Sequence, residues 1–113
     1  DAGDAAVTGG TQTGGTSSAG AVTVEIDDFA FVPRAVTIRA GEKVRWTNRD
    51  FPPHTVTSGN PEDADKGSLF DSGTLGVGKT FEYTFEMPGT YEYFCTYHYG
   101  HAAMRDATVT VTP

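Results

Sequence analysis

From Val22 to the C-terminus, apolar and polar residues alternate in short runs. A period of two obliges each run to bury one face and wet the other, which is what a half-buried strand does and a helix does not. Val22, Val24 and Ile26 alternate with Thr23, Glu25 and Asp27. The same period returns in Val36-Thr37-Ile38-Arg39, Val44-Arg45-Trp46-Thr47, Phe81-Glu82-Tyr83-Thr84-Phe85, Tyr91-Glu92-Tyr93 and Val109-Thr110-Val111-Thr112. Turn residues punctuate the runs at Ala40-Gly41-Glu42, Gly76-Val77-Gly78 and Met87-Pro88-Gly89. Several short strands with one apolar face each must pair those faces, and the compact solution is a two-sheet sandwich with Greek-key connections. The expected fold class is therefore all-β. Asn60 to Ser72, rich in Asp, Glu, Gly and Pro, reads as a long loop with room for one helical turn.

A chain of 113 residues holds one ordinary core. Its first part cannot contribute to that core. Residues 1–21 are almost wholly Gly, Ala, Thr, Ser and Asp, with Val7 the one large aliphatic side chain before the alternation begins. Such a segment buries too little apolar surface to offset its ordering entropy. The expected organisation is a flexible tether over 1–21, either a spacer from a membrane anchor or wall or a remnant, followed by a single domain over 22–113. Nothing approaches the roughly eighteen consecutive apolar residues of a membrane span, and no signal peptide opens the sequence, so a soluble, processed form is expected.

Eight Lys plus Arg stand against 15 Asp plus Glu, a formal net charge of -7 with no basic stripe, which argues against a nucleic-acid partner. The single cysteine, Cys95, has no internal partner for a disulfide. In an exported protein its thiol must be buried or otherwise held. Two of the three histidines, His98 and His101, follow it within six residues, and Met104 lies three further on.

Parity places these groups. Cys95 shares a strand face with Tyr91 and Tyr93 and points inward where the chain leaves the sheet; His54 shares parity with Val56 at the start of a strand over His54-Thr55-Val56-Thr57. A thiolate, imidazoles and a thioether at one pole suit copper, because two histidines, one cysteine and a long axial methionine make a blue-copper site. Zinc is the alternative, but structural zinc prefers four strong ligands and gains little from a thioether. Taken singly, each residue has an ordinary reading as core filler or loop hydrogen-bonder. Their convergence argues for a site.

The chain resembles the plastocyanin and amicyanin family of cupredoxins over nearly all of Val22 to Pro113. The resemblance is carried by Phe29-Ala30-Phe31-Val32-Pro33, Gly41-Glu42-Lys43-Val44-Arg45-Trp46-Thr47-Asn48, His54-Thr55-Val56-Thr57 and Tyr91-Glu92-Tyr93-Phe94-Cys95-Thr96-Tyr97-His98. It implies a cupredoxin fold and one copper, cycling between +1 and +2. His54 would be the early ligand, Cys95 the thiolate, a loop histidine the second imidazole and Met104 the weak axial ligand. It further implies an electron carrier rather than an enzyme, a monomer exchanging electrons with redox proteins in the periplasm or outside the cell. Electrons would pass through the loop histidine, inside an apolar docking ring drawn from Phe51, Pro52, Pro53, Tyr97, Tyr99, Ala102 and Ala103.

The ligand loop departs from its relatives. Five residues separate His98 from Met104, Gly100-His101 resembles the Gly-His pair of azurin-like members, and Thr55 stands where several relatives carry asparagine. The two-residue gap after Cys95, where the strand fixes how the chain leaves, makes His98 the expected loop ligand; the two-residue gap before Met104 and the adjacent Gly100 leave His101 as the alternative. Two rival functions are a copper carrier or chaperone, which would want exposed Met or His clusters, and a copper enzyme of the nitrite-reductase or red-copper type, which would want an open coordination position or a second metal.

Overall fold

The computed structural model describes residues 21–113. The tether expected over 1–21 lies outside them, except for Ala21, which already opens the first strand. Eight strands run in chain order: β1 (Ala21–Ile26), β2 (Phe31–Val32), β3 (Ala35–Arg39), β4 (Lys43–Asn48), β5 (Thr57–Ser58), β6 (Thr80–Thr84), β7 (Gly89–Phe94) and β8 (Ala107–Thr112). They form two four-stranded sheets, ordered β2-β1-β4-β6 and β3-β8-β7-β5. β1 pairs β4 in parallel from Ala21↔Lys43 to Ile26↔Asn48, and β3 pairs β8 in parallel; the other neighbours are antiparallel.

The alternation seen in the sequence becomes the core. Val24, Ile26, Val44 and Trp46 from one sheet face Val36, Ile38, Tyr93, Val109 and Val111 from the other, all buried. Each such side chain contributes about 1.5–3 kcal/mol by leaving water. Trp46 meets Tyr93 edge-on at 5.2 Å, and Phe70, brought in by the long loop after β5, packs on both Trp46 and Phe85.

Two expectations about this frame need correction. The segment from His54 is not a continuous strand: His54 makes an isolated bridge to Leu75, and regular pairing begins only at Thr57. Thr57 bonds to Asp71 on one side and to Phe94 of β7 on the other. Flanked on both edges, His54 through Ser58 are all buried, so parity does not separate an inner from an outer face. The Asn60 to Ser72 loop contains no helical turn. It winds through turns closed by Asp63 N–H to Asn60 O, Lys66 N–H to Asp63 O and Ser68 N–H to Asp65 O. The short 3-10 turn falls instead at Ala102–Met104.

The β1–β2 connection is a two-residue hairpin, closed by reciprocal bonds between Asp27 and Ala30. Its central residues, Asp28 and Phe29, lie at φ 52° and 57°. Such primed turns usually take Asn-Gly, since a β-carbon in the left-handed region costs about 1–2 kcal/mol. Asp tolerates that region; an aromatic residue there is an outlier.

Candidate metal centre

The chain leaves β4 at Asn48, a completely buried side chain that shapes the loop to His54. Its amide donates to Leu75 O (2.8 Å) and Pro52 O (3.2 Å), and its oxygen accepts Asp50 N–H at 2.8 Å. Leu75 is in turn the bridge partner of His54, exchanging bonds of 3.1 and 2.8 Å. One buried amide thus fixes both supports of the histidine.

Cys95 follows immediately on the end of β7 rather than closing it, and is fully buried. From there the chain makes three successive i to i+3 turns: His98 N–H to Cys95 O, His101 N–H to His98 O and Met104 N–H to His101 O. The loop is then closed by Cys95 N–H donating to Met104 O at 2.9 Å. Met104 ends in the core cluster, fully buried. Three turns thus carry the chain from Cys95 to Met104.

At the pole where these loops meet, His54 Nδ1 and His98 Nδ1 each lie 3.6 Å from Cys95 Sγ, and 3.1 Å from one another. His54, Cys95 and His98 are the one such ligand cluster among the described residues, their donor atoms within 4.8 Å. His101 does not join it. Its exposed ring stacks on Phe29 at 4.6 Å, with a centroid 6.4 Å from that of His98.

The second bonds of these groups decide what they offer. His54 Nε2 lies 2.8 Å from Asp50 Oδ2. Burial would raise the Asp50 carboxyl, but the amides of Phe29 and Asp28 and the His54 ring outweigh it and hold the group below its ordinary range. Asp50 is then a carboxylate that can only accept, so a neutral His54 carries its proton on Nε2 and aims the Nδ1 lone pair into the cluster. Burial, with His54 and His101 nearby, keeps the His98 imidazole below its usual value, which favours its neutral, ligating form. The Cys95 sulfur receives Thr55 N–H at 3.4 Å. The Thr55 hydroxyl accepts Thr96 N–H at 2.9 Å and touches the hydroxyls of Thr57 and Thr96. Threonine side chains thus brace the two ligand loops against one another.

One sulfur and two imidazole nitrogens brought together at one point fit a soft or borderline cation, and copper best among common metals. Sequence reasoning missed Asp50 and Phe29. Asp50 lies four residues before His54, a spacing with no meaning in a loop, and Phe29 reaches the site only through its left-handed turn.

A thiol and two imidazoles converging at one pole of a β-sandwich define a mononuclear copper centre of the cupredoxin class. The chain belongs to the family of copper binding proteins, plastocyanin/azurin family, whose model matches residues 18–112. It is 38% identical over 87 residues to plastocyanin of Scenedesmus fuscus, covering 74% of this chain and 87% of that one. With the chloroplastic plastocyanin minor isoform of Arabidopsis thaliana it shares 36% over 87 residues; the match takes in 72% of this chain but only 51% of the relative. Among solved structures, amicyanin from Paracoccus versutus superposes with a TM-score of 0.66 at 32% identity, covering 84% of each chain.

Proposed function

We propose that this protein is a single-electron carrier that holds one copper with His54 Nδ1, Cys95 Sγ, His98 Nδ1 and, as a weak axial ligand, Met104. The observation that carries the reading is the convergence of the three donor atoms within 4.8 Å on a hydrogen-bonded scaffold. Bound copper would supply the one-electron change between its +1 and +2 states. The chain's own residues do the rest. Asp50 and Leu75 orient His54, the turn after Cys95 orients His98, and the packed core keeps water from the sulfur. A carrier gains from such stiffness, because little then has to rearrange when the charge changes.

Exposed aromatic side chains stand on the two loops that carry His54 and His98: Phe51 is 89% exposed, Tyr97 53% and Tyr99 46%. This supports docking of redox proteins over the loop histidine. The family resemblance favours work in the periplasm or outside the cell, with residues 1–21 as a tether, and the burial of the free Cys95 is compatible with it. Among the described residues no helix is long and apolar enough to cross a membrane. The rival reading as a copper carrier or chaperone, which hands the metal over, gains nothing from a ligand set that is mostly buried.

The discriminating experiment compares His98→Ala with His101→Ala after copper loading. The His98 variant loses or shifts the visible spectrum, while His101→Ala leaves it nearly unchanged. The reverse result would move the ligand role to His101 and refute the assignment.

A further inference from the structure

We propose that Asp50 is a positioning residue whose one carboxylate both orients the His54 ring and latches the Asp28–Phe29 turn, so that turn and metal centre form a single coupled unit. The inference rests on the copper reading only for its effect on the metal; the latch itself belongs to the copper-free chain.

The argument is one of acceptor capacity. Asp50 Oδ1 accepts Asp28 N–H at 2.6 Å, while Oδ2 accepts both Phe29 N–H at 2.9 Å and the His54 Nε2 proton at 2.8 Å. Those two amides are the central N–H groups of a primed turn written with unsuitable residues, both at positive φ. Backbone in such a conformation persists where its surroundings over-determine it, and here the surrounding group is the carboxylate. What the turn delivers is the Phe29 ring. It stands edge-on to His54 at 5.4 Å and to His98 at 4.8 Å, and lies against His101 at 4.6 Å. Half-buried, it covers the face that the two ligating imidazoles share. Asp50 is itself placed by Asn48, through the bond from its own amide.

Asparagine cannot replace this carboxylate. With its single oxygen at the Oδ2 place, its amide faces the Asp28 N–H; flipped, it faces both Phe29 N–H and the His54 proton. Asp50→Asn must therefore release part of the unit. In copper-free wild-type protein, nitrogen-15 NMR should show a protected Nε2 proton on His54 and slowly exchanging amides at Asp28 and Phe29. In Asp50→Ala, which removes both acceptor oxygens, the amides should exchange at least tenfold faster and the His54 proton resonance should be lost. The double variant Asp28→Asn/Phe29→Gly supplies a self-supporting turn. Adding Asp50→Ala to it should still remove the His54 proton signal but no longer speed the turn amides, which keeps the test usable if the single variant folds poorly.

In copper-loaded protein, loss of the carboxylate weakens Cu(II) relative to Cu(I) about tenfold, a rise of about 59 mV in potential for one electron. Unchanged protection of all three protons in Asp50→Ala overturns the latch. A change at His54 alone overturns the coupling, and an unmoved potential overturns the positioning role. Failure of the wild-type chain to bind copper would defeat the proposed function while leaving the NMR result standing.

Discussion

Replacing Asn48 with alanine removes three side-chain hydrogen bonds from a site with no exposure to water. The losses are the donations to Leu75 O and Pro52 O and the acceptance of Asp50 N–H. A hydrogen bond nets about 1 kcal/mol, and a partner left buried without a mate costs about 1–3 kcal/mol. Pro52 O is partly buried and can recruit water, and Leu75 O keeps the His54 N–H, whereas Asp50 N–H is left buried without its acceptor. The expected loss is about 2–4 kcal/mol. In a domain of this size that lowers the melting temperature by about 10–25 °C. Asn48→Asp should be worse than alanine, because it turns a carboxylate toward two carbonyl oxygens. Urea denaturation of the copper-free variants measures both. A loss below about 1 kcal/mol, or an aspartate variant as stable as the alanine one, would refute the claim that this amide organises the His54 loop.

Acidification should weaken the copper-free protein before its carboxylates titrate. Burial holds the His98 pKa below 6.5, so the unfolded chain binds that proton first. The associated stability is present above about pH 6.5 and is lost as pH falls toward the folded value. The urea midpoint should drop between about pH 7.5 and about pH 5, with a shallower slope in His98→Phe; equal slopes would contradict the reasoning. A second expectation concerns encounter with partners. Glu62, Asp65 and Asp71 are exposed, and the chain carries a net charge of -7. Electron exchange with a basic redox protein should slow as salt shortens the Debye length to about 8 Å and below, and stopped-flow rates indifferent to salt would leave these acids as solubilising groups only.

The sandwich was legible because its signal is local: Val36 and Ile38 or Val44 and Trp46 declare a buried face by their own spacing. The ligand types were legible for the same reason, since Cys95, His98 and Met104 are neighbours in the chain. What did not read out depends on partners far away in sequence. His54 owes its place to Leu75 and Asn48 rather than to strand periodicity, and the buried run through Ser58 hides its parity because it is covered on both edges. Between the two loop histidines the gap after Cys95 favoured His98; the turns that direct His98 Nδ1 to the cluster and leave His101 against Phe29 depend on hydrogen bonds that the residue order does not display. Asp50 and Phe29 were invisible because their meeting requires an aromatic residue in a left-handed turn, a conformation the sequence argues against.

The most direct test is the visible spectrum of the chain reconstituted with one equivalent of copper, followed through reduction and reoxidation. The account predicts an intense thiolate-to-copper band in the oxidised protein, bleached reversibly by one electron per chain and absent in Cys95→Ser although that variant still folds. A weakly coloured oxidised protein, or a band of full intensity in the serine variant, would contradict it.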